Sequence, residues 1–174
     1  MKNLRNKNIK GLKVLVRCDL NVPIRNGKVL DDFRIKKLIP TIDYLRNQGA
    51  KIILITHLGE PKGRDLSFSV RPVAKRLWEL VQGRLKFVND TIGKNVEKEI
   101  DEMKEGDIVV LENLRFYKEE EQNDDNFSRS LARLGDIFVQ DAFGACHRNH
   151  SSIVGITKYI DSFPGLLLEE EIRV

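Results

Sequence analysis

The alternation of short β-branched segments with longer helical ones constrains this chain more than any other feature. Runs typical of strands occur at residues 13–17, 51–56, 86–88, 107–111 and 136–140. Segments with a helical pattern occur at residues 32–48, 69–82, 93–103, 127–134 and 165–174. Strand–helix–strand units at this spacing predict parallel strand pairing with helices on both faces. We therefore predict a three-layer α/β/α Rossmann-like domain with a mostly parallel, six-stranded sheet.

Local signals set the ends of several elements. Gly49 follows the first helical segment and suits a left-handed C-terminal position, and Ser69 can cap the second. Trp78 falls at helical spacing with apolar neighbours, so we expect it in the core. The polar, mostly acidic stretch 118–126 predicts a loop.

Length and composition exclude several protein classes. At 174 residues the chain corresponds to about one domain of roughly 150 residues, and no internal boundary is visible. No apolar run approaches the ~18 residues of a membrane span, and the first residues lack the apolar core of a secretory signal. Two cysteines, Cys18 and Cys146, form no disulfide framework. We expect a soluble cytoplasmic protein without a membrane partner.

The charge pattern and the absence of familiar motifs restrict the classes of ligand that we expect this chain to bind. The formal net charge is +4, which permits an anionic partner. Lys36, Lys37 and Arg46 lie on an amphipathic segment without interleaved aromatic residues, which indicates a solvated face rather than a nucleic-acid site. Neither G-x-G-x-x-G nor G-x-x-x-x-G-K-[ST] occurs. The spacing of Cys146, His147 and His150 matches no common zinc pattern, so no metal is expected.

Chemically active side chains gather after the predicted strands. In open α/β sheets, ligands bind outside the carboxyl ends of the strands. The residues that follow those ends, or open the next helix, are Asp19, Asn21, Arg34, His57, Gly59, Glu112, Asn113, Arg115, Asp141, His147 and Arg148. Arginine suits bidentate binding of carboxylate and phosphate, so the set predicts a site for a small anion that carries a hydroxyl. A single arginine of this kind is more often a loop cap or a surface charge, so the prediction rests on the arrival of the whole set at one edge of the sheet.

Five motifs at these positions resemble the phosphoglycerate kinase family, in family order and over essentially the whole chain. They are Val16-Arg-Cys-Asp-Leu-Asn-Val-Pro23, Asp31-Asp-Phe-Arg-Ile35, Thr56-His-Leu-Gly59, Leu111-Glu-Asn-Leu-Arg-Phe-Tyr117 and Asp141-Ala-Phe-Gly-Ala-Cys-His-Arg148.

The resemblance implies a division into two lobes. In this family an N-terminal lobe binds 3-phosphoglycerate or 1,3-bisphosphoglycerate, and a C-terminal lobe binds MgADP or MgATP. Residues 1–164 resemble the substrate-binding lobe and residues 165–174 the start of the inter-domain helix, with the nucleotide-binding domain absent. The implied reaction moves a phosphoryl group between 1,3-bisphosphoglycerate and ADP. For this chain alone we expect a monomer that binds no cofactor and has no turnover.

The resemblance also assigns roles to individual residues. It implies substrate contacts from Asp19, Asn21, Arg34, His57, Gly59, Arg115 and Arg148, with support from Arg17 and Glu60. Arg34 resembles the catalytic arginine that stabilises the phosphoryl group in transit. Asp19 and Asn21 resemble the pair that bonds the hydroxyl and carboxyl region of the substrate.

Two positions depart from the family pattern. Glu60 stands where the family usually has an arginine that helps bind the substrate phosphate, and Lys62 or Arg64 are the nearby cations that could replace it. Gln140 stands where asparagine is common, and the exchange keeps an amide. Two other functions remain open: an anion-binding or regulatory module without turnover, and a nucleic-acid binder that uses the basic surface.

Overall fold

A computed structural model describes residues 2–173, and its centre is a parallel sheet. The strands are β1 (Lys13–Arg17), β2 (Ile24–Arg25), β3 (Lys28–Val29), β4 (Lys51–Ile55), β5 (Leu85–Val88), β6 (Ile108–Leu111), β7 (Ile137–Gln140) and β8 (Ser162–Pro164). Within the described residues, six strands form the sheet in the order β5-β6-β4-β1-β7-β8, and all their pairings are parallel. The prediction of a six-stranded, mostly parallel sheet is confirmed.

Helices cover both faces of this sheet. They are α1 (Phe33–Asn47), α2 (Arg71–Val81), α3 (Lys94–Asp101), α4 (Asp125–Ala132) and α5 (Leu166–Arg173). Alternate residues of each central strand enter different cores: Val14 and Val16 of β1 pack with α1 and α2. Leu15 between them packs with α3 and α4. This alternation follows from the two-residue period of a strand, and it confirms the three-layer architecture.

Several elements differ in detail from their predictions. The hairpin β2–β3 was not predicted, although its turn, Asn26-Gly27, has positive φ at both residues and is a hairpin signal. The five strand runs visible in the sequence do not include the edge strand β8, the sixth strand of the sheet, because three residues without β-branching carry no strand pattern. Helix α4 begins two residues before its predicted start, where Asp124 accepts a hydrogen bond from the Phe127 N–H.

The prediction that Trp78 lies in the core is wrong. Its side chain is 50% exposed, and its indole N–H donates to the Gly83 carbonyl at 3.2 Å. The buried stripe of α2 is carried by Val73, Ala74 and Leu77, and Trp78 lies at the edge of that stripe near the end of the helix. The polar end of the ring then finds its acceptor at the surface.

The last helix is anchored to the sheet edge. Gly165 N–H donates to the Gln140 carbonyl, and the Leu168 N–H of α5 donates to the Asp141 carboxylate at 3.0 Å. Met1 and Val174, the outer ends of the predicted domain 1–164 and of the predicted helix 165–174, lie outside the described residues. Across residues 2–173 we find no helix with the length and apolarity needed to cross a membrane.

Candidate functional site

Four adjacent strands, β6, β4, β1 and β7, end at the same edge of the sheet. Arg17, the last residue of β1, is in register with Ile55 of β4 on one side and Gln140 of β7 on the other. The residues that follow these strands therefore emerge side by side, which is the crevice position at which open α/β sheets bind ligands. The site residues expected from the sequence lie at these ends, in the loops that follow them, or in the first turn of α1.

Asp19, Asn21 and Arg34 form one connected group. The Asn21 N–H donates to Asp19 Oδ1 at 3.2 Å. Arg34, in the first turn of α1, donates from Nη1 to the Asn21 carbonyl at 2.6 Å and contacts Asp19 Oδ1 at 3.3 Å. The Arg34 side chain remains 51% exposed. One nitrogen thus anchors the guanidinium, and its other donors remain available at the surface.

Gly59 connects this group to Arg115. Its N–H donates to Asn21 Oδ1 at 3.0 Å, and its carbonyl accepts from Arg115 Nη1 at 2.9 Å. The backbone has φ +60°, and a Cβ atom here would lie 2.5 Å from Cε1 of Phe68. Only glycine accommodates both conditions, so the main chain itself joins the two halves of the site.

Arg115 is buried with two of its nitrogens unpaired. Asn113 holds the turn after β6, because its Oδ1 accepts from the N–H groups of Arg115 and Leu58. The Arg115 side chain is 5% exposed, and within residues 2–173 its Nε and Nη2 are buried without any hydrogen-bond partner. Buried donors without acceptors are costly, and for a charged group the cost is larger. The arrangement suits an anion with two oxygen atoms.

His57 is held as a neutral hydrogen-bond donor. It is 5% exposed, and its Nδ1 lies 2.7 Å from Nη2 of Arg17. Because a guanidinium can only donate, Nδ1 accepts, and the neutral ring carries its hydrogen on Nε2. Burial, followed by the positive charges of Arg17, Arg115 and Arg148, lowers the pKa of His57 to about 2. The histidine therefore offers an N–H without adding a charge.

Arg17 lies entirely inside the protein, beneath His57. Its Nε donates to Ser152 Oγ at 2.8 Å and its Nη1 to the Cys18 carbonyl at 2.6 Å. Burial lowers the pKa of Arg17, and the nearby Glu120 carboxylate opposes this effect. Sequence reasoning missed Ser152 and Glu120, because Glu120 falls in the acidic stretch that predicts a loop.

The remaining candidates are less tightly connected. Arg148 is exposed, and its positive charge contributes to lowering the pKa of His57. Glu60 is exposed, and within residues 2–173 it forms no ion pair with Lys62 or Arg64. Arg64 instead donates to the Asn89 carbonyl and lies over the ring of Phe116.

Gln140 is the second departure from the family pattern, and its amide oxygen makes a hydrogen bond. Its Oε1 accepts from the Ala142 N–H at 2.9 Å, which holds the turn after β7. Its Nε2 is buried, and among residues 2–173 it has no hydrogen-bond partner.

Comparison with known proteins gives one consistent family. The family model described as phosphoglycerate kinase matches residues 4–174. The phosphoglycerate kinase of Dictyoglomus turgidum is 52% identical over 172 residues, covering 99% of this chain and 43% of the relative. That of Aquifex aeolicus is 49% identical over 173 residues, covering 98% of this chain and 44% of the relative.

Solved structures agree with this result. Phosphoglycerate kinase from Pyrococcus horikoshii OT3 superposes with a TM-score of 0.91 at 34% identity, over 99% of this chain and 44% of that one. The enzyme from Coxiella burnetii gives a TM-score of 0.89 at 33% identity, over 99% of this chain and 43% of that one. The chain thus spans less than half the length of these relatives.

Proposed function

Because the chain belongs to the phosphoglycerate kinase family, we propose that its 174 residues bind 3-phosphoglycerate or 1,3-bisphosphoglycerate as the substrate lobe of that enzyme. The reaction we propose for the whole enzyme is phosphoryl transfer between 1,3-bisphosphoglycerate and ADP, as in glycolysis. Residues 1–164 form the substrate-binding domain in this proposal, and α5 begins the connection to a nucleotide-binding lobe. MgADP or MgATP binds to that second lobe, and the two lobes close around their substrates.

One observation carries the proposal: the buried Arg115 guanidinium with Nε and Nη2 unpaired among the described residues. A folded protein keeps such donors buried at a cost, which a bound carboxylate or phosphate removes by accepting both hydrogen bonds. The ligand also needs groups for its hydroxyl. Asp19 and Asn21 stand in the same hydrogen-bonded network as Arg115, joined to it through Gly59.

The chemistry asks for positioning and charge stabilisation more than covalent catalysis. Phosphoryl transfer passes through a transition state with charge spread over the phosphoryl oxygens. Arg34 is the proposed catalytic residue, since its exposed guanidinium is anchored by one nitrogen and can meet that charge with the others. Neutral His57 supplies an N–H, and Arg148 completes the basic patch. Asp19 accepts the substrate hydroxyl and does not act as a strong base, because an acyl phosphate and ADP react without deprotonation.

The test is a chemical-shift titration of the 174-residue chain with 3-phosphoglycerate and, separately, with MgATP. We expect 3-phosphoglycerate to shift the amide signals of Asn21, Gly59 and Arg115, and MgATP to leave them in place. Arg115→Ala should weaken binding roughly 10- to 100-fold, because two charge-assisted hydrogen bonds are lost.

Arg64→Ala is the matched control. It removes a neighbouring positive charge whose guanidinium already donates to Asn89. It should therefore change the affinity less than about threefold, as expected for a screened surface charge. Absence of shifts at millimolar 3-phosphoglycerate, or equal losses in the two variants, would contradict the proposal.

A further inference from the structure

A buried carboxylate lies beneath the site in a segment whose composition predicts a polar loop. Glu120 is fully buried. Its Oε1 accepts from the Ser152 N–H at 2.9 Å, and its Oε2 accepts from the Ser152 hydroxyl. The main chain reinforces this connection, since the Ser151 N–H donates to the Glu120 carbonyl at 2.8 Å. Burying a carboxylate is costly unless it is hydrogen-bonded and faces a positive charge.

The positive charge is that of Arg17, which Glu120 reaches through the serine. Ser152 Oγ donates its hydrogen to Glu120 and accepts from Arg17 Nε at 2.8 Å. Arg17 Nη2 in turn donates to His57 Nδ1 at 2.7 Å. Four side chains from four separate segments therefore form one chain of directed hydrogen bonds, running from the carboxylate to the imidazole.

The direction of each bond in this chain is determined. The carboxylate can only accept, so the serine hydroxyl points its hydrogen to Glu120 and its lone pair to Arg17. Arg17 can only donate, and each of its three nitrogens has a different acceptor: Ser152, Cys18 and His57. The guanidinium is thereby fixed in orientation, and the Nδ1 atom of His57 is fixed as an acceptor.

We propose that Glu120 and Ser152 are positioning residues that hold Arg17 and so select the His57 tautomer with its hydrogen on Nε2. The tautomer follows from the hydrogen bonds alone. Its use, donation of that N–H to an anionic ligand, rests on the function proposed above. Without the serine, Arg17 loses one of its three acceptors, so its guanidinium can turn away from Nδ1 of His57, and the ring can then exchange between its two neutral forms.

The neighbouring serine provides a matched control. Ser151 is buried as completely as Ser152, and its hydroxyl donates to the carbonyls of Glu119 and Asp124 at 3.1 and 3.2 Å. It holds the same turn without touching Arg17. If both serines only stabilised the turn, Ser151→Ala and Ser152→Ala would have the same effect on the His57 tautomer. The proposed role predicts that only Ser152→Ala changes it.

The experiment records the imidazole nitrogen signals of His57 by NMR in the 174-residue chain at pH 7. We expect a single neutral Nε2–H form in the unmodified protein and in Ser151→Ala, and a mixture of the two tautomers in Ser152→Ala. Ser152→Thr, which keeps the hydroxyl, should restore the single form. The affinity for 3-phosphoglycerate should fall about tenfold in Ser152→Ala and less than threefold in Ser151→Ala.

Two results would overturn the proposal. One is an unchanged His57 spectrum in Ser152→Ala. The other is a His57 that is charged, or protonated on Nδ1, in the unmodified protein, and this result can be obtained even if Ser152→Ala does not fold. If the unmodified chain shows the expected tautomer and Ser152→Ala shows the mixture, but the chain does not bind 3-phosphoglycerate, the proposed function fails while the positioning role stands.

Discussion

At the scale of single residues, the site depends on positions where only one side chain satisfies the local geometry. Gly59 is one such position, because its φ of +60° and its closeness to Phe68 exclude a Cβ atom while both of its backbone groups bind site residues. Asn113 is another, since its Nδ2 donates to the carbonyls of Leu58 and Phe68 while its Oδ1 accepts from two N–H groups. Gly59 and Asn113 hold other site residues in place, so the site requires both of them even if neither contacts a ligand.

Glu60 carries a prediction at the same scale. It follows Gly59 directly, and the Gly59 carbonyl accepts from Arg115, so residue 60 stands next to the part of the site where we propose that the phosphate binds. A like charge about 6 Å from a phosphate costs roughly 1–3 kcal/mol. We expect Glu60→Arg to raise the affinity for 3-phosphoglycerate at least threefold at low salt, with a gain that shrinks as salt is added.

Two variants control this measurement. Glu60→Gln removes the repulsion without adding a cation, and its effect should be intermediate. Glu105→Arg makes the same change in net charge beside Gly11 and Gly49, at the opposite edge of the sheet, and should leave the affinity unchanged. If Glu60→Arg gains no more than Glu105→Arg, the Glu60 side chain turns outward and does not influence the site.

At the scale of elements, Asp141 joins three of them. It follows β7, its Oδ2 accepts from the Thr41 hydroxyl of α1 at 2.7 Å, and its Oδ1 accepts from the Leu168 N–H of α5. Burial is the main cause that raises its pKa to about 6, although the hydrogen bonds oppose it. A carboxyl group therefore anchors the N-terminus of α5 at an energetic cost when it is ionised.

This cost gives a pH dependence of defined sign. The folded pKa lies above the unfolded value, so the folded state binds more protons, and the contribution of this group to stability is lost as the pH rises to about 6. We expect Asp141→Asn to remove this loss. Its free energy of unfolding, relative to that of the unmodified chain, should rise by about 2–3 kcal/mol between pH 4 and pH 7.

Urea unfolding at several pH values measures this difference. Asp43→Asn, at an exposed position of α1, is the control for a general loss of negative charge. The control should not reproduce the rise of about 2–3 kcal/mol that we expect for Asp141→Asn. If the free energy difference between Asp141→Asn and the unmodified chain does not change with pH, the buried carboxyl does not titrate as we predict.

At the scale of the whole molecule, the two large hydrophobic cores of the described residues share their strands. Val14 and Val16 of β1 belong to one core, and Leu15 belongs to the other. A strand that unfolds removes buried residues from both cores at once, because its alternate residues belong to different cores. We therefore expect a single cooperative thermal transition, seen at the same midpoint by Trp78 fluorescence and by circular dichroism.

A substitution on one face tests this coupling. Leu131 of α4 is fully buried in the core on the far side of the sheet from α2, which carries Trp78. Leu131→Ala should destabilise the protein by about 2–5 kcal/mol and lower the midpoint reported by Trp78 as much as the one reported by circular dichroism. A Trp78 midpoint that stays in place would show that the two cores unfold independently.

The sequence by itself determined the order of the elements and the edge at which the site forms. Strand and helix periods are local properties of the chain, and parallel connections bring every strand end to one side of the sheet. For this reason Asp19, Asn21, Arg34, Gly59 and Arg115 could be predicted as neighbours, and the structure joins them in one network. The five motifs added the family, which the comparisons confirmed.

Only the tertiary structure decided which polar groups are buried and what they face. The helical period predicts that Trp78 lies on a helix, but it does not predict that the core ends beside this residue. Likewise, the acidic composition of residues 118–126 does not predict that the Glu120 side chain is buried. Glu120 is buried because Ser152, 32 positions later, donates to its carboxylate and in turn accepts from the buried Arg17. Burial depends on residues that fold together from distant parts of the chain, whereas patterns record only near neighbours.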